Sequence, residues 1–368
     1  MKKIITVTFH RANNYGAVLQ AYALQKFLSK KYETEILDYD NKDISDVYRV
    51  FKKPSGSIKQ TIRRFKKDIL NYNKNSKRSK NFAEFRKKLM LTKKYSRIDD
   101  IKENCPAADV YITGSDQIWN HSITGGLDDI YFLNFGDSKS KRIAYGASCG
   151  TVDIVKKKEK EFIEKIENID FLSTRENSFN EYIEDIAKRD VRVVVDPALL
   201  LTKKEWEELD ITNRIIDEKY IFVYSVGNAN EALYNMTNEL AQRTGYKIIY
   251  FDRDDSENNY KCEKVSGYKY GPVEFLNLLY NSEYVVTTSF HGLALSTIFN
   301  KNFFISLSTY PDRLLTLLEL LDLKDRIITN NEKINDVINS DIDWNKVNEK
   351  IKQERQKSID WLINSIEG

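Results

Sequence analysis

One of only three histidines in the chain, His291, stands inside Val285-Val286-Thr287-Thr288-Ser289-Phe290-His291-Gly292-Leu293-Ala294-Leu295. The β-branched run 285–288 reads as a strand buried on both faces, and the apolar residues from Gly292 onward read as a helix packed against it. Strand-to-helix junctions of this kind are where open α/β sheets bind ligands. An imidazole there can carry a proton near neutral pH, and the free N–H groups of a helix start favour an anion. The duller alternative is a histidine that caps the helix or satisfies a buried carbonyl. Ser289 and Gly292 flank His291, and Ser306, Ser308, Tyr310 and Arg313 follow the next strand, bringing a cation within reach of the same junction.

Three further loops gather polar groups after strands. Residues 4–9 lead into Arg11-Ala12-Asn13-Asn14-Tyr15-Gly16-Ala17 and a helix. A single glycine is too few for a dinucleotide fingerprint, so Gly16 either serves the turn alone or lets Asn14, Tyr15 and Gln20 face a ligand. In Thr113-Gly114-Ser115-Asp116-Gln117-Ile118-Trp119-Asn120, an N-cap explains Ser115 or Asp116. It leaves Trp119 unexplained. An aromatic face beside the amides of Gln117 and Asn120 suits a sugar ring, so Asp116, Gln117, Trp119 and Asn120 are expected to bind an acceptor. Arg175, just past strand 171–174, offers a planar fork for carboxylate or phosphate, the alternative being a solvated pair with Glu176. Paired-histidine metal motifs, Walker loops and nucleophile elbows are absent from the sequence, and no metal is expected.

The elements that must position these groups alternate short β-branched runs with longer amphipathic stretches, the pattern of parallel sheets covered by helices on both faces. Strands are expected at 4–9, 34–37, 110–113, 143–147, 171–174 and 192–195, with helices at 17–28 and 155–166 among them. Asp196-Pro197 stops the sixth strand, and Thr202 is placed to cap a short helix. The polar stretch 212–218 reads as a domain break. The rhythm then restarts, with strands at 220–226, 247–251, 284–288 and 303–307 and helices at 231–243, 273–279 and 293–299. The expectation is an α/β protein of two Rossmann-like doubly wound domains facing a cleft, 1–211 and 219–340, with a helix over 341–368 docking back across it.

Composition narrows the function classes. At 368 residues, with 41% hydrophobic and 31% charged residues, the chain is an ordinary globular one, long enough for two cores. The opening 1–9 reads as a first strand in preference to a secretory leader, and no stretch approaches the roughly 20 apolar residues that span a bilayer. Cys105, Cys149 and Cys262 are too few and scattered for a disulfide framework, which fits a reducing cytoplasm. Residues 52–97 hold 17 lysines and arginines against Asp68 and Glu84, a net +15, leaving −12 for the remainder of a chain whose total is +3. Such asymmetry marks either a solvated basic insertion or a surface for a polyanion, including the inner face of an anionic membrane. Nucleic acid is not expected, because the basic residues lack an interleaved platform of stacking aromatics.

The ordered set Asn14-Tyr15-Gly16-Ala17-Val18-Leu19-Gln20, Gly114-Ser115-Asp116-Gln117-Ile118-Trp119-Asn120, Ser173-Thr174-Arg175-Glu176, Asp196-Pro197, Gly271-Pro272-Val273-Glu274-Phe275 and Ser289-Phe290-His291-Gly292 resembles the polysaccharide pyruvyl transferase family. The resemblance implies a GT-B-like pair of domains, the first on the acceptor side and the second on the donor side. It also implies transfer of the enolpyruvyl group of phosphoenolpyruvate, a substrate and not a cofactor, onto two hydroxyls of a sugar to make a pyruvate ketal. Positions matched by Arg175 and His291 belong to the family's donor site, and Arg313 is the counterpart of a further basic residue. The acceptor it implies is a cell-surface polysaccharide or its lipid-linked precursor. Two positions depart from the pattern: Ser289 stands where many members carry arginine, and Ala17 where many carry an acid. A nucleotide-sugar-dependent glycosyltransferase and a glycan-binding relative without catalysis are the alternative expectations on the same scaffold.

Overall fold

The computed structural model of the chain describes residues 1–51, 57–226, 231–251, 264–266, 269–307, 311–328 and 340–368. These form two compact units, Met1–Leu200 with Arg355–Gly368, and Leu201–Glu354.

The first unit contains β1 (Lys3–Val7), β2 (Glu33–Ile36), β3 (Val110–Thr113), β4 (Lys141–Ala147), β5 (Phe171–Thr174) and β6 (Val191–Val193), in the order β2-β1-β3-β4-β5-β6. All these neighbours pair in parallel. Because strand side chains alternate between faces, both faces of the apolar strands must be covered. Ile5, Val7, Tyr111 and Ala144 point into one core with Phe132, Phe162 and Phe179. Ile4, Val110, Ile112 and Ile143 meet Leu24, Leu28, Leu362 and Ile366 in another.

The second unit repeats the plan with β7 (Tyr220–Tyr224), β8 (Lys247–Phe251), β9 (Lys264–Ser266), β10 (Tyr284–Thr287), β11 (Asn302–Ser306) and β12 (Ile327–Ile328), ordered β12-β11-β10-β7-β8-β9 and again parallel. One face packs Ile221 and Val223 on Leu233, Met236 and Leu240 of the helix Glu231–Thr244. On the other, Phe275 stands edge-on to Phe222, Tyr224 and Phe251.

The division falls at 200/201, ahead of the polar stretch 212–218. Trp206 and Ile211 are buried, and the Asn277 side chain donates to the carbonyls of Ile211 (3.0 Å) and Asn213 (2.6 Å), tying this segment to the second unit. Thr202 does cap its short helix, in a reciprocal pair with Glu205. The last helix, Trp344–Glu367, is not a separate piece: from Arg355 onward it belongs to the first unit. There Arg355 Nε donates to the carbonyl of Leu199 (2.5 Å), and Ser358 Oγ accepts from the amide of Val195 (3.0 Å).

Candidate functional site

Strand order gives each sheet one point where successive connections leave in opposite directions, and the crevice there is the general ligand position of open α/β sheets. In the first sheet the chain passes from β1 to β2 on one side and then crosses to β3 on the other. The loops at this point are 8–14 and 114–120, two of the three singled out in the sequence. In the second sheet β7 leads to β8 and β9, whereas β10 pairs on the opposite edge of β7. The loop after β10 carries Ser289 and His291.

The first point is built as a closed hydrogen-bond web. Gln20 Nε2 donates to Thr8 Oγ1 (2.7 Å) and to the carbonyl of Ala17 (2.9 Å), while its Oε1 accepts from the amide of Ser115 (3.3 Å). Thr8 Oγ1 in turn reaches the Ser115 carbonyl (3.2 Å). Gly114 is required, since at φ +132° a Cβ would lie 2.0 Å from the Tyr145 carbonyl oxygen. Ser115 Oγ is 3.0 Å from the Gly146 carbonyl and 3.3 Å from Asp196 Oδ2. Arg175 Nη1 meets the same Asp196 oxygen at 2.5 Å, and Nη2 lies 3.8 Å from Asp116 Oδ1. Burial would lower the affinity of this guanidinium for its proton, but the carboxylates of Asp196, Glu176 and Asp116 outweigh it and hold it charged. Ser148 Oγ donates to Glu176 Oε1 at 2.5 Å.

This arrangement corrects several expectations. Trp119 is no sugar platform: it is 1% exposed, stacks on Phe132 at 5.4 Å with edge contacts to Phe162 and Phe179, and spends its indole N–H on the Tyr131 carbonyl (3.1 Å). An aromatic following a buried strand serves the core whenever the next segment brings further aromatics onto it. Tyr15 lies buried beneath Arg78, whose guanidinium is 4.8 Å from its ring and donates to its hydroxyl (3.1 Å). Gln20, with no exposed surface, is internal. Asn120 caps the turn His121–Thr124 and is buried. Arg175 is not solvated, being buried and enclosed among the carboxylates of Asp196, Glu176 and Asp116. Half-exposed positions remain at Asn14, Asp116 and Gln117. Asn14 caps the helix Tyr15–Leu28, its Oδ1 accepting from the amide of Ala17 (3.2 Å), and Gln117 Oε1 accepts from Asn120 Nδ2 (2.8 Å).

At the second point the helix Phe290–Ile298 begins before Gly292, so His291 occupies the first turn instead of preceding it. Thr287 Oγ1 donates to the Tyr224 carbonyl (2.6 Å) and accepts from the amide of Ser289 (2.9 Å), fixing the corner. Thr288 Oγ1 accepts from the amide of Val226 (2.8 Å). Ser289 Oγ accepts from the amide of Gly292 (3.3 Å), so these two residues, expected to hold a donor, meet each other as an N-cap pair. Gly292 lets the helix sit directly on its strand: a Cβ would fall 2.4 Å from Thr287 Oγ1. The His291 ring stands nearly perpendicular to that of Phe290, centroids 5.3 Å apart, and is buried. Arg313 lies half-buried in the first turn of the helix Asp312–Leu321. Ser308 and Tyr310 lie outside the described residues, as does Cys262.

Sequence reasoning missed two groups. Asp196 enters the sequence reading as a strand stop and within a family motif but not as an ion-pair partner, although an acid closing the run Val193-Val194-Val195 signals a buried carboxylate that needs a cation. His10, fully buried, sets Nε2 2.9 Å from Asp38 Oδ1 and Nδ1 3.1 Å from the Thr8 carbonyl, and Arg11 grips both Asp38 oxygens at 2.6 Å. Burial would raise the Asp38 carboxyl, yet the hydrogen bonds from His10 and Arg11 bring it down to about 2. Among the described residues no three His, Cys, Asp or Glu side chains gather as metal ligands would.

Comparison with solved structures places this architecture among known ones. A UDP-N-acetylglucosamine 2-epimerase from Rickettsia bellii superposes with a TM-score of 0.55 at 10% identity, over 100% of this chain and 97% of that one. A Staphylococcus aureus MnaA–UDP co-structure gives 0.49 at 12% identity, over 99% and 98%. Arabidopsis thaliana UGT89C1 complexed with quercetin gives 0.48 at 10% identity, over 99% of each chain. The first of these likenesses shows the fold, two Rossmann-like units of GT-B type, and nothing finer. No curated protein matches the chain. A family model does, over residues 14–309, and its description is polysaccharide pyruvyl transferase. That match takes in the loop 114–120, the corner after β10 and most of the sequence, and the chain belongs to the polysaccharide pyruvyl transferase family, a family of transferases.

Proposed function

We propose that the protein moves the enolpyruvyl group of phosphoenolpyruvate onto two hydroxyls of a sugar in a cell-surface polysaccharide or its lipid-linked precursor, closing a cyclic pyruvate ketal. The observation that carries this reading is His291 in the first turn of the helix after β10, at the switch point of the second sheet. Proton delivery to the methylene carbon of the donor makes it a methyl group and leaves cationic character on the adjacent carbon. One sugar hydroxyl adds to that carbon and loses its proton, the C–O bond to phosphate breaks, and the second hydroxyl adds in its place, its proton passing to the departing phosphate. Inorganic phosphate leaves with the bonding electron pair. His291 is the proton carrier, a role an imidazole fills near neutral pH. The amides of the helix start and Arg313 offset the carboxylate and phosphate charges.

The acceptor role falls on the half-exposed Asn14, Asp116 and Gln117 of the first unit, with Asp116 as the base for a sugar hydroxyl. Arg175 is a positioning residue that holds Asp116 and Asp196 in place, not a donor ligand. The protein works in the cytoplasm, at the inner face of the membrane, and residues 52–97 meet its anionic lipid. Purified protein should release phosphate from phosphoenolpyruvate only when a suitable glycan is present. Stabilisation by nucleotide sugars but not by phosphoenolpyruvate in a thermal-shift screen would instead select a glycosyltransferase. Saturable glycan binding without phosphate release would select a non-catalytic relative.

A further inference from the structure

The helix Ile58–Leu70 turns its apolar side outward. Ile62, Phe65 and Ile69 follow i, i+3, i+7 spacing and so share a face, where they are 52%, 55% and 52% exposed, and Leu70 at its end is 85% exposed. Phe51 and Tyr72 extend the patch, with ring centroids 5.9 Å from Phe51 to Phe65 and 5.7 Å from Phe51 to Tyr72. Single exposed apolar side chains are ordinary, whereas six gathered in one place mark an interaction surface. Lys59, Arg63 and Lys66 stand exposed on the same helix, while its one acid, Asp68, is buried. The next helix, Tyr72–Arg86, gives the patch a firm base, since its Phe82 and Phe85 are buried against Tyr15 and Tyr22.

We propose that this face inserts into the headgroup region of an anionic lipid bilayer and holds the first unit at the membrane surface. An apolar stripe bordered by lysine and arginine is the design of interfacial helices, in which hydrocarbon contact and attraction to acidic headgroups act together. Thirteen residues of helix extend only about 20 Å, too short to cross a bilayer, so the helix lies in the plane of the surface. No helix among the described residues is long and apolar enough to span. Charge selects lipid over a second copy of the chain, because self-association through this face would bring the exposed Lys59, Arg63 and Lys66 of two copies together while the one acid of the helix is buried. The inference deepens the peripheral contact proposed for residues 52–97 and is independent of the pyruvyl chemistry, since binding is read without turnover.

The test is flotation of the full chain with vesicles of phosphatidylcholine, alone or with about 30% phosphatidylglycerol. Recovery should be about ten-fold higher on the anionic vesicles, and the double variant Phe65→Ser, Ile69→Ser should lose about ten-fold on them although it keeps every charge. Its far-UV circular dichroism and melting should match the parent, both positions being exposed. A tryptophan placed by Ile69→Trp should shift its emission to the blue when anionic vesicles are added. Three results would each overturn the inference: no recovery on anionic vesicles, equal recovery of the serine variant, or a tryptophan that does not shift. A dimer in sedimentation velocity that the serine variant dissociates would assign the face to a second copy instead. Glycan-dependent phosphate release in a chain that fails to float would leave the proposed reaction standing and remove only the membrane contact.

Discussion

The two switch points are alike in topology and opposite in how they use charge. At the first, the cation Arg175 is locked among Asp116, Glu176 and Asp196, and the loop amide of Ser115 is held by the buried Gln20. At the second, the hydroxyls of Thr287, Thr288 and Ser289 satisfy backbone groups, and the titratable residue on the corner is His291. Removing one partner of a charge pair bound into the interior strands the other charge, so its loss falls on folding. The two corners thus differ in what they hold: one locks a cation among carboxylates, and the other spends its hydroxyls on backbone groups and carries His291, the residue proposed above as the proton carrier.

The sharpest way to break that comparison is to remove each group and ask whether stability or chemistry is lost. Arg175→Ala leaves Asp196 buried without its cation, and about 3–5 kcal/mol of stability should go with it. In a domain of this size that is a fall in Tm on the order of 10 °C, readable by calorimetry. His291→Ala should cost less stability than Arg175→Ala, because it strands no buried charge, while phosphate release drops by about 10²- to 10⁴-fold. Comparable melting losses in both variants, or normal turnover after His291→Ala, would dissolve the division.

Why the two points differ in legibility follows from the same contrast. Strand positions were readable because β-branched runs such as Val110–Thr113 and Tyr284–Thr287 have to be buried on both faces, and that requirement is local. The position of His291 beside a strand-to-helix junction was readable because that junction is local too. The roles of Trp119, Tyr15 and Arg175 depend on partners far along the chain: Phe162 and Phe179 for the first, Arg78 for the second, Asp196 for the third. A polar or aromatic residue in a loop looks the same in sequence whether it faces a ligand or a later segment of its own chain. The short edge strands β9 and β12 escaped notice because two or three residues carry too little pattern.

Gly292→Ala sharpens the comparison at the second point alone. The added methyl would fall 2.4 Å from Thr287 Oγ1, and Thr287 cannot swing away without losing its bonds to the Tyr224 carbonyl and the Ser289 amide. Overpacking of this kind costs about 1–3 kcal/mol. The displaced helix start carries His291 with it, so turnover should fall further than stability does. A variant that melts lower yet turns over normally would show that the corner does not position the imidazole.

The smallest expected effect tests the structural character of the first unit through pH. Asp38 is held near 2 by His10 and Arg11 against the opposing effect of burial. A carboxyl whose folded value is depressed stabilises the protein fully above its unfolded value, near 3.9, and loses that contribution as pH falls through the folded one. Asp38→Asn should therefore be less stable than the parent at pH 6, and the gap should close between about pH 4 and pH 2. Urea unfolding followed across that window measures it. A gap that stays constant with pH would mean that Asp38 acts through packing and hydrogen-bond geometry, and that its charge is not what binds His10 and Arg11 to the end of β1.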